Sequence, residues 1–203
     1  MARSALDAGS PTGSQTWVFA YGSLLGDSGW ARPGDAVLCE LVGWRRGWTV
    51  AMDNGADLPG YKHYLDGRGE RPAILVAFLD VLPAAGSRVN GLALPVNAAQ
   101  LSALDGRERN YARAEVGASI QGAVLAGTVW TYVGLPVARD RAHRGLAEGR
   151  LAVSRRYWEQ VRAGFERLGE DALHDFEITT DPLPGPLAEL RVVPHGPDSA
   201  HAS

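Results

Sequence analysis

"WVFAYGSLL", residues 17 to 25, is an apolar run that halts on a tyrosine, a glycine and a serine before apolar residues resume. It predicts a strand over 16–20 and a turn with Tyr21 at its lip. Two readings of the turn stay open. It reverses the chain, or it offers successive backbone N–H groups to an anion. In the second case Gly22 removes the side chain that would block approach.

Further strands are expected on either side of a polar segment. "AVLCELVGW" (36–44) and "WTVAMD" (48–53) precede it. "PAILVAFLDVL" (72–82), apolar enough to be buried on both faces, and "RVNGLALPV" (88–96) follow it. The polar segment, 61–72, reads as a mobile loop and a possible pocket cover. Asn97 and Gln100 have the spacing of a capping box, which starts a helix that turns Leu101 and Leu104 inward and ends near Gly106. "ARAEVGASI" and "AGTVWTYV" are two more strands. From 137 the period becomes helical: a polar helix over 138–148, then one capped by Ser154, with Tyr157, Val161, Phe165 and Leu168 on one face and Gly169 at its end. The expected organisation is a mixed α+β domain over 16–180, a disordered tail over 1–15, and an extended or disordered tail over 181–203.

Composition removes several function classes. The 203 residues carry a net charge of −3, which gives no reason to expect nucleic acid or an anionic membrane as partner. Lys62 is the only lysine, read as a matter of composition before function. Cys39 stands alone in an apolar run and reads as a buried, inert thiol. The five histidines (63, 143, 174, 195 and 201) show no zinc-ligand spacing, and neither metal nor cofactor is expected. There is no G-x-S-x-G, Walker A or G-x-G-x-x-G sequence. "GWRRGW" (43–48) could stack bases, but a strand with Trp44 and Trp48 inward and Arg45 or Arg46 facing water is the stronger reading. The opening fifteen residues lack the apolar stretch of a signal peptide, so a soluble cytoplasmic protein is expected.

"LDGRERNYARAEV", 104–116, puts Glu108 between a helix end and a strand, with Tyr111 three residues on. Held beside aromatic rings, such a carboxylate loses hydration and its pKa rises, the condition for general acid–base work. The alternative is a solvated charge paired with Arg107 or Arg109.

Taken together, "FAYGSLL", "G-LALPVN", "LDGRERNY", "VWTYVG" and "SRRY" closely resemble, in order and spacing over about residues 16 to 170, the γ-glutamylcyclotransferase-like family. The resemblance implies a small mixed β-barrel with flanking helices, and a pocket between the Tyr-Gly-Ser turn and a catalytic glutamate. It implies that the backbone at Gly22, Ser23 and Leu24 holds a γ-glutamyl group, that Tyr21 borders it, and that Glu108 is the catalytic acid/base. Tyr111 and Tyr132 fall at pocket-tyrosine positions. Leu24 stands where the mammalian-type turn has asparagine. With the Arg107-Glu108 pair, it brings the chain closer to the glutathione-specific ChaC branch, although "GRERNY" lacks that branch's usual glycine before the tyrosine. The implied reaction releases 5-oxoproline from a γ-glutamyl amino acid, γ-glutamyl amine or glutathione. A non-catalytic module that binds a small carboxylate on the same fold is the alternative, and a structural protein with a solvated Glu108 is a third. Oligomeric state is not specified by the sequence.

Overall fold

A computed structural model describes residues 15–26, 30, 34–57 and 62–194. Within them lie ten strands and four α-helices. The first strand, β1 (Thr16–Ala20), leads into a 3-10 turn over Ser23–Gly26. Two very long strands then form the frame: β2 (Val37–Asp53) and β4 (Leu75–Val96), antiparallel along most of their length. Between them lies β3 (Lys62–Leu65).

Each long strand was expected as two. The interruptions prove to be bends: the β2–β4 register shifts between Val42 and Trp44 and again between Gly47 and Val50. At the first shift Gly43 takes φ +82°, a conformation that favours glycine, so the chain turns a corner without leaving the sheet. The bends curl the sheet into an open barrel. Strand order is β5-β7-β1-β4-β2-β6, where β5 is Tyr111–Glu115, β6 Ile120–Gln121 and β7 Thr128–Gly134. β1 runs antiparallel to the end of β4 and parallel to β7. β8 (Leu151–Ser154) adds parallel to the start of β4.

The helices cover this sheet. α1 (Ala98–Arg107) starts on the expected capping box: the Asn97 side chain accepts from the Gln100 N–H at 2.9 Å, and Gln100 accepts from the Asn97 N–H at 2.9 Å. Leu104 is fully buried, but the helix runs one residue past Gly106. α2 (Pro136–Ala147) turns the small residues Ala138, Ala142 and Gly145 inward, which lets it lie close on β2. α3 (Arg155–Glu166) packs on the 23–26 turn, Gly164 against Leu25. A further helix, α4 (Glu170–Thr179), follows Gly169 and was not expected.

One expectation is narrowed and two need correction. Of Arg45 and Arg46 only Arg45 faces water: Arg46 is fully buried, because it shares strand parity with Trp44 and Trp48. Its guanidinium donates to the Asn90 carbonyl and side chain and lies 4.8 Å from the centres of both the Phe165 and Phe176 rings. Burial pushes its pKa down to about 9. Arg45 is the half-exposed member, paired with Asp181. Secondly, the 61–72 segment is not simply a loop, since β3 pairs antiparallel with β10 (Arg191–Pro194). Thirdly, Ser154 precedes α3 but its side chain makes no cap hydrogen bond.

The closing stretch from 181 is extended and paired: β9 (Leu187–Ala188) joins β8, and β10 joins β3. The expected tails over 1–14 and 195–203 lie outside the described residues. Cys39 is buried as expected. No helix among the described residues is long and apolar enough to cross a membrane, and no group of His, Cys, Asp and Glu there could hold a metal ion.

Candidate active site

The site begins where β1 ends. Past Ala20 the chain turns through Gly22 into the 3-10 turn, which the Leu25 N–H closes on the Gly22 carbonyl at 3.1 Å. Leu25 is thereby removed as a donor to any ligand. The earlier N–H groups of such a turn have no partner within it. Leu24 is buried with Val18, Ala20, Leu104 and Tyr132. Its side chain is a core residue, which explains why an apolar group can stand there while the backbone does the presenting.

The glutamate comes from the opposite side. Glu108 caps α1, its N–H bonded to Leu104 O at 2.8 Å, and its carbonyl receives the Tyr111 N–H at 2.9 Å. This turn fixes the carboxylate between helix and strand. Its side chain is 16% exposed, and Arg107 Nε stands 3.4 Å from Oε1. Glu108 is thus paired, as one alternative held, but not solvated. Burial pushes its carboxyl above the ordinary glutamate value, while the charges of Arg107 and Lys62 pull it back.

Two spaces meet at this carboxylate. A narrow recess of about 30 Å³ is walled by Tyr21, Gly22, Ser23, Leu24, Tyr111 and Tyr132, among others. A cavity of about 400 Å³, within the range of small-molecule sites, opens beside it and shares Ser23, Glu108, Tyr111 and Tyr157. The structure therefore gathers all seven residues singled out in the sequence around one recess. Only Ser23, Glu108 and Tyr111 of them also face the wide cavity.

The tyrosines of the recess are already engaged. The Tyr21 hydroxyl donates to the Tyr132 carbonyl at 2.6 Å, and the Tyr132 hydroxyl to Asp105 Oδ1 at 2.9 Å. The Tyr111 hydroxyl donates to Leu79 O at 2.7 Å, while the Leu79 N–H donates to the Tyr157 hydroxyl at 3.3 Å. Here β4 has left β8 and not yet met β1, so Leu79's peptide groups lack a strand partner on that edge. Two phenols supply one. Burial raises the pKa of both, so they remain neutral hydrogen-bonding groups. A Cβ at Gly22 would lie 3.4 Å from the Tyr157 hydroxyl, which shows that this glycine faces the recess.

Sequence reading missed Tyr157, Lys62 and Arg156, and named Arg107 and Arg109 only as neighbours of Glu108. Tyr157 looked like one more residue of an apolar helix face. It does pack edge-on to Phe78 at 5.1 Å, but its hydroxyl reaches the site. Lys62 lay in a presumed loop; its being the only lysine among arginines was the available signal.

The family model for gamma-glutamyl cyclotransferase, AIG2-like proteins matches residues 18–159, most of the chain. The chain belongs to this family. Among curated proteins, none matches significantly. Solved structures share the fold at low identity. YkqA from Bacillus subtilis is 18% identical with a TM-score of 0.55; the match covers 84% of this chain and 56% of YkqA, so the chain spans little more than half of that protein. A gamma-glutamyl cyclotransferase is 15% identical (TM-score 0.50, 86% of this chain, 94% of that one). An uncharacterized human protein is 16% identical, with the same score and coverages. The mixed α+β half-barrel with its four helices is the fold of these neighbours.

Proposed function

We propose that the protein is a γ-glutamylcyclotransferase that releases 5-oxoproline from a γ-glutamyl compound, with Glu108 as general acid/base. The observation that carries this is the placement of one desolvated carboxylate on the wall shared by the glycine-turn recess and the wide cavity.

The γ-glutamyl group lies where the wide cavity meets the recess, with one oxygen-bearing end in the recess mouth, where the backbone of Gly22, Ser23 and Leu24 receives its carboxylate or the developing oxyanion beside Tyr21, Tyr111 and Tyr132. The substrate supplies its own nucleophile. Its α-amine attacks the γ-carbonyl carbon, a five-membered ring forms, and the bond to the leaving amine breaks. Confinement of the folded glutamyl chain lowers the entropic part of the barrier. Glu108 accepts a proton from the α-ammonium so that the amine can attack, the nitrogen gives up a second proton as the ring closes, and both pass by way of Glu108 to the departing nitrogen, which leaves as an ammonium, so no water or cofactor is consumed. Leu24 and the Arg107-Glu108 pair ally the chain with the glutathione-specific ChaC type, and the cytoplasm is the proposed compartment.

The test is incubation with a panel of γ-glutamyl amino acids, γ-glutamyl amines and glutathione, with 5-oxoproline read by mass spectrometry, on wild type and Glu108→Gln. Turnover by wild type that vanishes in the variant is expected. Turnover that survives in Glu108→Gln removes the residue from its role, and binding without turnover by wild type favours a carboxylate-binding module.

A further inference from the structure

Four tyrosines line the recess, and three have committed their protons inside the protein. Tyr21 donates to the Tyr132 carbonyl, Tyr132 to Asp105 and Tyr111 to Leu79 O. Tyr157 differs. Its hydroxyl accepts the Leu79 N–H at 3.3 Å and donates to none of the described residues. A phenol has one proton to donate, and this one is open to whatever enters the recess.

The hydroxyl is held in place from behind. Tyr157 stands in the first turn of α3, its ring edge-on to Phe78 at 5.1 Å and to Trp48 at 6.1 Å. In front lies the glycine turn: a Cβ on Gly22 would be 3.4 Å from the hydroxyl. The recess, about 30 Å³, admits a water-sized group and no more, which fits a single oxygen. Tyr157 and Glu108 both line the recess and the wide cavity, so phenol and carboxylate meet at one junction. In ring closure the two nitrogens that exchange protons through Glu108 are both bonded to the γ-carbonyl carbon. The oxygen on that carbon therefore lies at the junction, whereas the α-carboxylate hangs from a different ring carbon. Ser23 also brings a hydroxyl there, but an alcohol proton is less acidic than a phenol's.

We infer that the Tyr157 hydroxyl is a catalytic hydrogen-bond donor to the γ-carbonyl oxygen, acting beside the N–H groups of the turn. This rests on the cyclotransferase reading of the same site. The oxygen gains negative charge when the α-amine adds to the carbonyl carbon and loses it when the leaving amine departs. Tyr157 keeps its proton throughout, so its bond strengthens in the transition state with no proton transfer. The Leu79 N–H polarises the phenol oxygen from behind and makes its proton a better donor.

The experiment is steady-state kinetics of wild type and Tyr157→Phe on glutathione, γ-glutamylglycine and γ-glutamylmethylamide, with melting temperatures. For the compounds that wild type turns over, kcat is expected to fall about 10²-fold or more, the scale of one oxyanion donor, with KM changed less than about threefold. Loss of the Leu79 partner lowers the melting temperature by several degrees, but a structural defect of that kind does not single out kcat. In a folded variant, a kcat loss below about tenfold overturns the donor, as does a rise in KM with kcat held. Where Tyr157→Phe does not fold, replacement of Tyr157 by 3-fluorotyrosine keeps the shape and the Leu79 bond and makes the proton more acidic. A kcat raised about twofold or more then upholds the donor, and a kcat unchanged or lowered overturns it. Wild type inactive on all three compounds removes the cyclotransferase reading and the donor with it, whereas an active wild type matched by Tyr157→Phe removes the donor alone.

Discussion

The recess at the glycine turn and the wide cavity beside it share Glu108 but are built in opposite ways. In the recess nearly every polar side-chain group is engaged within the protein: Tyr21 holds the Tyr132 carbonyl, Tyr132 holds Asp105, and Tyr111 holds Leu79. Its walls come from strands and a tight turn, so its shape is fixed. The cavity is lined instead by long charged side chains, two of them exposed, and by a two-stranded ribbon apart from the main sheet. A rigid, neutral pocket suits a chemically constant group, and an adjustable, charged one suits a group that varies. The division matches a reaction in which the glutamyl moiety is invariant and the leaving amine is not.

The sharpest way to break that comparison is at the shared wall. Glu108→Gln keeps size and removes the base, and kcat is expected to fall roughly 10²–10⁴-fold, the usual contribution of a positioned acid/base. A single-turnover assay of ring closure checks it. A smaller effect, confined to the recess, is expected from Gly22→Val. The first added carbon stands 3.4 Å from the Tyr157 hydroxyl and 3.7 Å from Leu79 Cδ1, and the two further methyls enter a space of about 30 Å³. KM for every substrate is expected to rise by about tenfold or more because the methyls occupy the recess, with the protein still folded and its melting temperature lowered by no more than the several degrees that about 1–3 kcal/mol of overpacking costs. A rise confined to substrates with a charged leaving group would place the turn on the wrong side of the division.

The pH profile sharpens the comparison further. With Glu108 as the proposed acid/base, activity needs it ionised, so kcat/KM is expected to fall as pH drops through its pKa, with the inflection above the ordinary value of 4.5 because burial outweighs the nearby cations. Arg107→Gln removes a charge that favours the carboxylate, and the acid limb is expected to move to higher pH. A limb that stays in place would mean that Arg107 acts on substrate, not on Glu108. Stability moves the other way. The folded carboxyl holds its proton more tightly than the unfolded chain does, so stability falls as pH rises from the unfolded value through the folded one. Glu108→Gln abolishes that decrease, which urea melts at several pH values would show.

The recess was legible in the sequence and the cavity was not, for physical reasons. Tyr21-Gly22-Ser23 and Glu108 each lie at the end of an element with strong local signals: an apolar strand, and a helix begun by the capping box of Asn97 and Gln100. The cavity depends on pairings distant in the chain. β3 is short and polar and becomes a strand only because β10, about 130 residues later, lies beside it. Nothing local in 61–72 encodes that partner. The same holds for Arg46, whose burial needs Phe165 and Phe176 from α3 and α4 as well as Asn90 from β4. Its strand parity with Trp44 and Trp48 points inward, but the sequence reading left open which of Arg45 and Arg46 faces water. In β2 and β4, glycine and polar residues at the bends looked like strand ends, because a bulge and a loop begin with the same residue types.

Tyr132 gives the smallest and most discriminating effect. It lines the recess, but its hydroxyl points to Asp105, and Asp105 is also paired with Arg113 at 3.0 Å. Tyr132→Phe therefore removes one hydrogen bond without leaving its acceptor unpartnered, and the Tyr21 hydroxyl keeps the backbone carbonyl of residue 132. The expected loss is about 0.5–1 kcal/mol of stability by denaturant titration, at the low end for a protein hydrogen bond. The corresponding change in kcat/KM is expected to be smaller than that of any substitution above, since the ring and the rigid wall remain. A loss of kcat/KM beyond about tenfold, larger than one neutral hydrogen bond supplies, would mean that the hydroxyl turns to the substrate. The recess would then be adjustable too, and the contrast between a fixed and a variable half of the site would fail.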